Sequence, residues 1–76
     1  MALVKKFEKL VKERNSLHDE VNCTYSVFTA SGGERIFQLD TYGSKKRKIL
    51  GKTSQSIQFD STTAAALKRL LEEEII

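Results

Sequence analysis

Near the start of the chain, apolar residues recur at helical spacing: Leu3, Phe7, Leu10 and Leu17, with Val4 and Val11 beside them. Lys5, Lys6, Lys9, Lys12 and Glu13 fill the other face. The pattern predicts an amphipathic helix from about residue 2 to 15, ending near Asn15-Ser16, whose apolar face covers core or partner surface. A membrane-surface helix is the sharper alternative. The stretch lacks Trp and carries two carboxylates, Glu8 and Glu13, which disfavours it.

From Val21 the period changes to two. Val21, Cys23, Tyr25 and Val27 alternate with Asn22, Thr24, Ser26 and Phe28, as in a strand with one buried face. Ser31-Gly32-Gly33-Glu34 predicts a hairpin turn, because glycine reaches the positive φ angles that tight turns need. A second strand is expected over Arg35 to Tyr42, a short third over Lys46 to Leu50, and a fourth over Ser54 to Phe59. Asp60, Ser61 and Thr62 are candidate N-caps for a closing helix from about Thr62 to Ile75. Glu72, Glu73 and Glu74 in its last turns oppose the helix dipole. The expected class is α+β: an N-terminal helix, a four-stranded antiparallel meander and a C-terminal helix. Residues 1–20 form the helix and its connector, and residues 21–76 one binding domain.

At 76 residues the chain is close to the size where a single core is marginal. It has only Cys23 and no zinc-ligand spacing, so neither disulfides nor a structural metal can staple it. Such chains often complete their core with a copy of themselves. A homodimer is expected, joined through the C-terminal helix, since one small sheet cannot bury Leu67, Leu70 and Leu71 together. The lone cysteine and the lack of a secretory leader predict a cytoplasmic protein, nucleoid-associated if bacterial. No apolar run reaches the ~20 residues that would span a bilayer.

The net charge is only +3, but its placement is uneven. Between Asp40 and Asp60 lie five cations, Lys45, Lys46, Arg47, Lys48 and Lys52, and no carboxylate. A field so concentrated suits a polyanion, although a solvated loop is the plainer reading. Gly51-Lys52-Thr53 ends like a nucleotide-phosphate loop, yet that loop needs glycine five residues earlier, where Lys46 stands, and a helix directly after. Nucleotide hydrolysis is excluded on that ground. Other catalysis has no constellation: His18 is the only histidine, and Asp40 and Asp60 have nothing in the sequence to align them. The chain is expected not to be an enzyme, and to need neither cofactor nor metal.

Single-stranded nucleic acid, DNA or RNA, fits better. Lys45, Lys46, Arg47, Lys48 and Lys52 offer charge to phosphates. Tyr25, Phe28 and Tyr42 lie on or beside strands where an exposed ring can stack on a base, though core packing is the plainer role for each. Gln55, with Ser54, Ser56 and Gln58, adds neutral donors. The expected binding set is Tyr42, Lys45, Lys46, Arg47, Lys48, Lys52, Gln55 and Phe28. The alternative is a small protein-interaction regulator whose basic loop meets an acidic partner.

The stretch "GERIFQLDTYGSKKRKILGKTSQSIQFDSTTAAALKRLLEEEI" resembles the single-stranded-DNA-binding domain of the transcriptional coactivator family called positive cofactor four, most of all its bacterial and phage relatives. "IFQLDTYG", "LGK", "SIQFD" and the final amphipathic helix carry the likeness, in that order, over about residues 21 to 76. The resemblance implies a curved antiparallel four-stranded sheet and a helix, paired through the helices, with grooves that bind single strands with little sequence preference. It places Tyr42 at the aromatic ending the second strand and Lys52 at the basic residue after the glycine turn. Asp40 stands where the coactivators have a basic residue, and Gly43 where they have a large aromatic.

Overall fold

The computed structural model describes residues 1–43 and 52–76. Its elements are β1 (Ala2–Val4), β2 (Cys23–Thr29), β3 (Arg35–Tyr42), β4 (Thr53–Asp60) and α1 (Ser61–Glu74). They form one sheet in the order β1-β4-β3-β2, antiparallel from β4 to β2 and parallel between β1 and β4. The sheet is therefore mixed and not an antiparallel meander. The expected third strand, Lys46 to Leu50, lies outside the described residues.

The largest correction is at the N-terminus, where no helix forms. Ala2, Leu3 and Val4 pair with Ile57, Gln58 and Phe59, and residues 5–22 follow without regular structure. The helical spacing is real, but Met1, directly before it, has no side-chain oxygen to cap a first turn. An isolated helix of that length is marginal in water without a surface to pack on. The β4 edge offers unpaired backbone groups, and Asp60 and Phe59 beside it offer partners for Lys5 and Phe7. Tertiary pairing outweighs local periodicity.

Elsewhere local chemistry and fold agree. The β2–β3 hairpin turns through residues 30–34, where Gly33 N–H donates to Ala30 O at 2.9 Å and Ala30 N–H to Glu34 O at 2.8 Å. Gly33 has φ 88°, a left-handed conformation that glycine adopts without steric cost. Asp60 caps α1: its Oδ1 accepts the Thr63 N–H at 2.9 Å. Its other oxygen, Oδ2, accepts from Lys5 Nζ at 2.7 Å.

Cross-strand partners share a face, so the register sorts the side chains. One face carries Tyr25, Val27, Phe37, Leu39, Ile57 and Phe59; the other carries Thr24, Ser26, Gln38, Asp40, Ser56 and Gln58. Among the described residues the buried apolar ones are Ile36 and Phe59. Phe59 lies opposite Phe37 in the ladder and under the Phe7 ring, 6.2 Å away and nearly parallel. The chain exposes 7086 Å², where a compact monomer of its 8.6 kDa exposes roughly 4,700 Å². The extended residues 5–22 account for part of the excess. Exposed apolar side chains add to it: Tyr25 is 72% exposed, Val27 47% and Ile57 39%.

The Lys5 ammonium, followed by the Thr63 N–H, holds the Asp60 carboxyl down at about 2, below its usual 3.8. A depressed carboxyl pKa stabilises the fold fully above the unfolded value and loses that effect as pH falls through the folded one. Thermal unfolding should thus show a fall in stability between about pH 4 and pH 2 that Asp60→Asn removes. At pH 7 the melting temperatures should rank wild type, Asp60→Asn, Asp60→Ala, since asparagine still caps the helix and alanine does not. Phe59→Ala should cost about 3–5 kcal/mol in urea unfolding, and Phe7→Ala less, because half-exposed Phe7 loses less apolar contact.

Candidate nucleic-acid interface

Tyr42 ends β3, and its backbone N–H donates to Asn22 O at 3.1 Å, tying it to the chain just before β2. The phenol oxygen lies 2.9 Å from Thr24 Oγ1, which fixes the half-buried ring at the sheet's end. The register with β4 shifts between Thr41 and Tyr42, so that Tyr42 faces Thr53 while Thr41 faces Gln55. Such an irregularity turns the strand end away from the regular ladder.

At this end Thr41, Tyr42, Gly43, Ser54 and Gln55 border an open cleft of about 490 Å³, closed on its other side by His18, Asp19 and Val21. Lys52 is exposed just before β4. The cleft brings two of the expected residues, Tyr42 and Gln55, together with Lys52 next in the chain. Lys45, Lys46, Arg47 and Lys48 lie outside the described residues, on the connection from Gly43 to Lys52.

Phe28 does not join them. It pairs with Ile36 at the other end of the ladder, about 20 Å from Tyr42 at the usual rise per residue. It shares the polar face with Tyr42 and is 41% exposed, so its ring is available, though not at the cleft. Tyr25 is on the opposite face, its ring stacked on Phe37 at 5.6 Å.

The polar face is joined by side-chain bonds. Gln58 Nε2 donates to Gln38 Oε1 at 2.8 Å, Gln38 Nε2 to Asp40 Oδ1 at 3.0 Å, and Ser56 Oγ to the same Asp40 oxygen. Asp40 is thus a carboxylate fixed mid-face by donors. Its register partner is Ser56, which sets it about 13 Å along the strand from Asp60. That is too far for the two to share a proton or a metal. Among the described residues no group of three or more His, Cys, Asp or Glu is placed to hold a metal ion.

His18, Asp19 and Val21 are members of the cleft that sequence spacing does not reveal. Their position depends on the path of residues 5–22, which leave β1 at one edge of the sheet and return to β2 at the other. Asp19 is the one carboxylate among the cleft's lining residues.

Among the described residues no helix is long and apolar enough to cross a membrane. No family model matches the chain, and neither a curated protein nor a solved structure matches it significantly.

Proposed function

We propose that this protein binds single-stranded nucleic acid without catalysing a reaction, in the manner of the positive cofactor four-like domains that residues 21–76 resemble. The observation that carries the reading is the run of five cations without a carboxylate, Lys45 to Lys52, on the connection that leaves the sheet at the Tyr42 cleft. Phosphates are held by Lys45, Lys46, Arg47, Lys48 and Lys52. A base stacks on the Tyr42 ring, and Gln55 supplies a neutral hydrogen-bonding edge. The Thr24 hydroxyl holds that ring in place, so little side-chain entropy is lost when a base stacks on it. The binding takes place in the cytoplasm, or on the nucleoid of a bacterial cell.

A second reading has its own support. The half-exposed apolar face around Tyr25, Val27 and Ile57 suits a protein partner better than a polyanion. Salt-dependent binding of an unstructured oligonucleotide separates the two readings.

Affinity for a single-stranded oligomer should fall with salt, with a slope of log K against log salt of about −0.7 per phosphate neutralised. Replacing Lys45, Lys46, Arg47 and Lys48 with Gln should flatten that slope and weaken binding to every sequence alike. Fluorescence anisotropy across a salt series measures both effects, and an unchanged slope would contradict the assignment of the cations.

Tyr42→Ala should weaken binding by ~1–3 kcal/mol with the slope retained, because stacking releases no ions. Tyr42→Phe should fall between Tyr42→Ala and wild type, since it keeps the stacking ring but loses the Thr24 bond that holds it. Asp19→Asn should bind more tightly, since it removes a carboxylate from the cleft. Unchanged affinity in Asp19→Asn would show that the strand does not pass there, and a loss would show that the carboxylate aids binding.

A further inference from the structure

We propose that the outer edge of β2 pairs, antiparallel, with the same edge of a second copy of this chain, joining two sheets into one. The proposal concerns a surface away from the Tyr42 cleft and stands whether or not the protein binds nucleic acid.

The direction of the backbone groups follows from the hairpin ladder. Its two ends are fixed by Tyr42 N–H donating to Asn22 O and Ala30 N–H donating to Glu34 O. Hydrogen-bonded pairs recur at every second residue of an antiparallel ladder. Thr24, Ser26 and Phe28 therefore turn their N–H and C=O groups inward to Asp40, Gln38 and Ile36. Cys23, Tyr25, Val27 and Thr29 turn theirs outward. Among the described residues no strand pairs with that edge.

Edge strands of proteins that stay apart usually carry a charge, a proline or a bulge, or are covered. "CTYSVFT" has neither charge nor proline, all seven of its residues are exposed, and its register with β3 is unbroken. It is an unprotected template for another strand.

Self-pairing also has a favoured register. A two-fold axis at Ser26 sets Tyr25 opposite Val27 of the copy and Cys23 opposite Thr29, so all four outward residues meet outward residues. Moving the axis by one residue leaves only three of the four paired within the strand. In the favoured register an aromatic meets a β-branched side chain on the apolar face, twice, and each such pair stabilises an antiparallel ladder. Tyr25 and Val27, at 72% and 47% exposure the most open apolar side chains of the strand, are the ones this pairing covers. The interface is isologous and closes as a dimer.

Helix pairing, the expectation from sequence, makes a different interface. Leu67 is already half-buried, and Leu70 and Leu71 are each 37% exposed. Single cysteines in a Cys23→Ser background tell the two apart. Ser26 faces its own copy in a non-hydrogen-bonded pair, where Cα atoms lie about 4.5 Å apart, within disulfide reach. Thr24 and its copy would be about 13 Å apart. Under mild oxidation, Ser26→Cys should form a covalent dimer at least tenfold faster than Thr24→Cys or Leu71→Cys. Equal rates, no dimer, or a dimer formed fastest by Leu71→Cys would overturn the proposal. Val27→Pro removes an outward N–H and no inward bond, so light scattering at high micromolar concentration should find it monomeric where wild type is dimeric. A dimer that survives Val27→Pro but is lost in Leu71→Lys would also overturn it. The cysteine comparison decides the matter independently of how the proline variant folds.

Discussion

Asp60 is the joint on which the fold depends. One carboxylate oxygen caps the first turn of α1 through Thr63, and the other holds the Lys5 ammonium. The residue also ends β4 and is itself nearly buried. Sheet, helix and N-terminal segment thus meet at one side chain. Next to it, Phe59 lies between Phe37 and Phe7 and provides much of the apolar burial that this small chain achieves. Burying a charge without partners is costly, and here the Thr63 N–H and the Lys5 ammonium both serve the Asp60 carboxylate.

The sheet anchored there has three distinct surfaces. Its apolar face is only partly covered, its polar face is crossed by the Gln58–Gln38–Asp40–Ser56 bonds, and its β2 edge is open. Asp40 makes the centre of the polar face unfavourable for phosphate. The Tyr42 end is the place where the exposed Lys52 and a half-buried ring come together. The β2 edge and the cleft at the sheet's end lie apart, so the proposed edge pairing and the proposed strand binding do not compete for one surface.

How much of this was legible in the sequence differs by region, for physical reasons. The strand Arg35–Tyr42, the glycine turn before it and the Asp60 cap follow from period-two alternation, left-handed glycine and side-chain capping, which are local effects. The N-terminal segment is misread because Leu3, Val4 and Phe7 have helical spacing, whereas their conformation is decided by a distant edge at Ile57–Phe59. Parallel pairing between the first and last strands leaves no local signal at all. At the candidate site, Tyr42, Lys52 and Gln55 are recognisable as residue types suited to nucleic acid, and the fold brings them to one end. Phe28 looks equivalent in sequence but is separated by the length of the strand. His18 and Asp19 could be placed only once the path from β1 back to β2 was known.

Mapping the backbone amides that shift when an unstructured single-stranded oligonucleotide is added tests the central claim most directly. By nuclear magnetic resonance, perturbation should concentrate at Tyr42, Gly43, Lys52 and Gln55, reach Asp19, and leave Phe28 and the α1 amides unmoved. Perturbation centred on Tyr25, Val27 and Ile57, or no perturbation at saturating oligonucleotide, would contradict it.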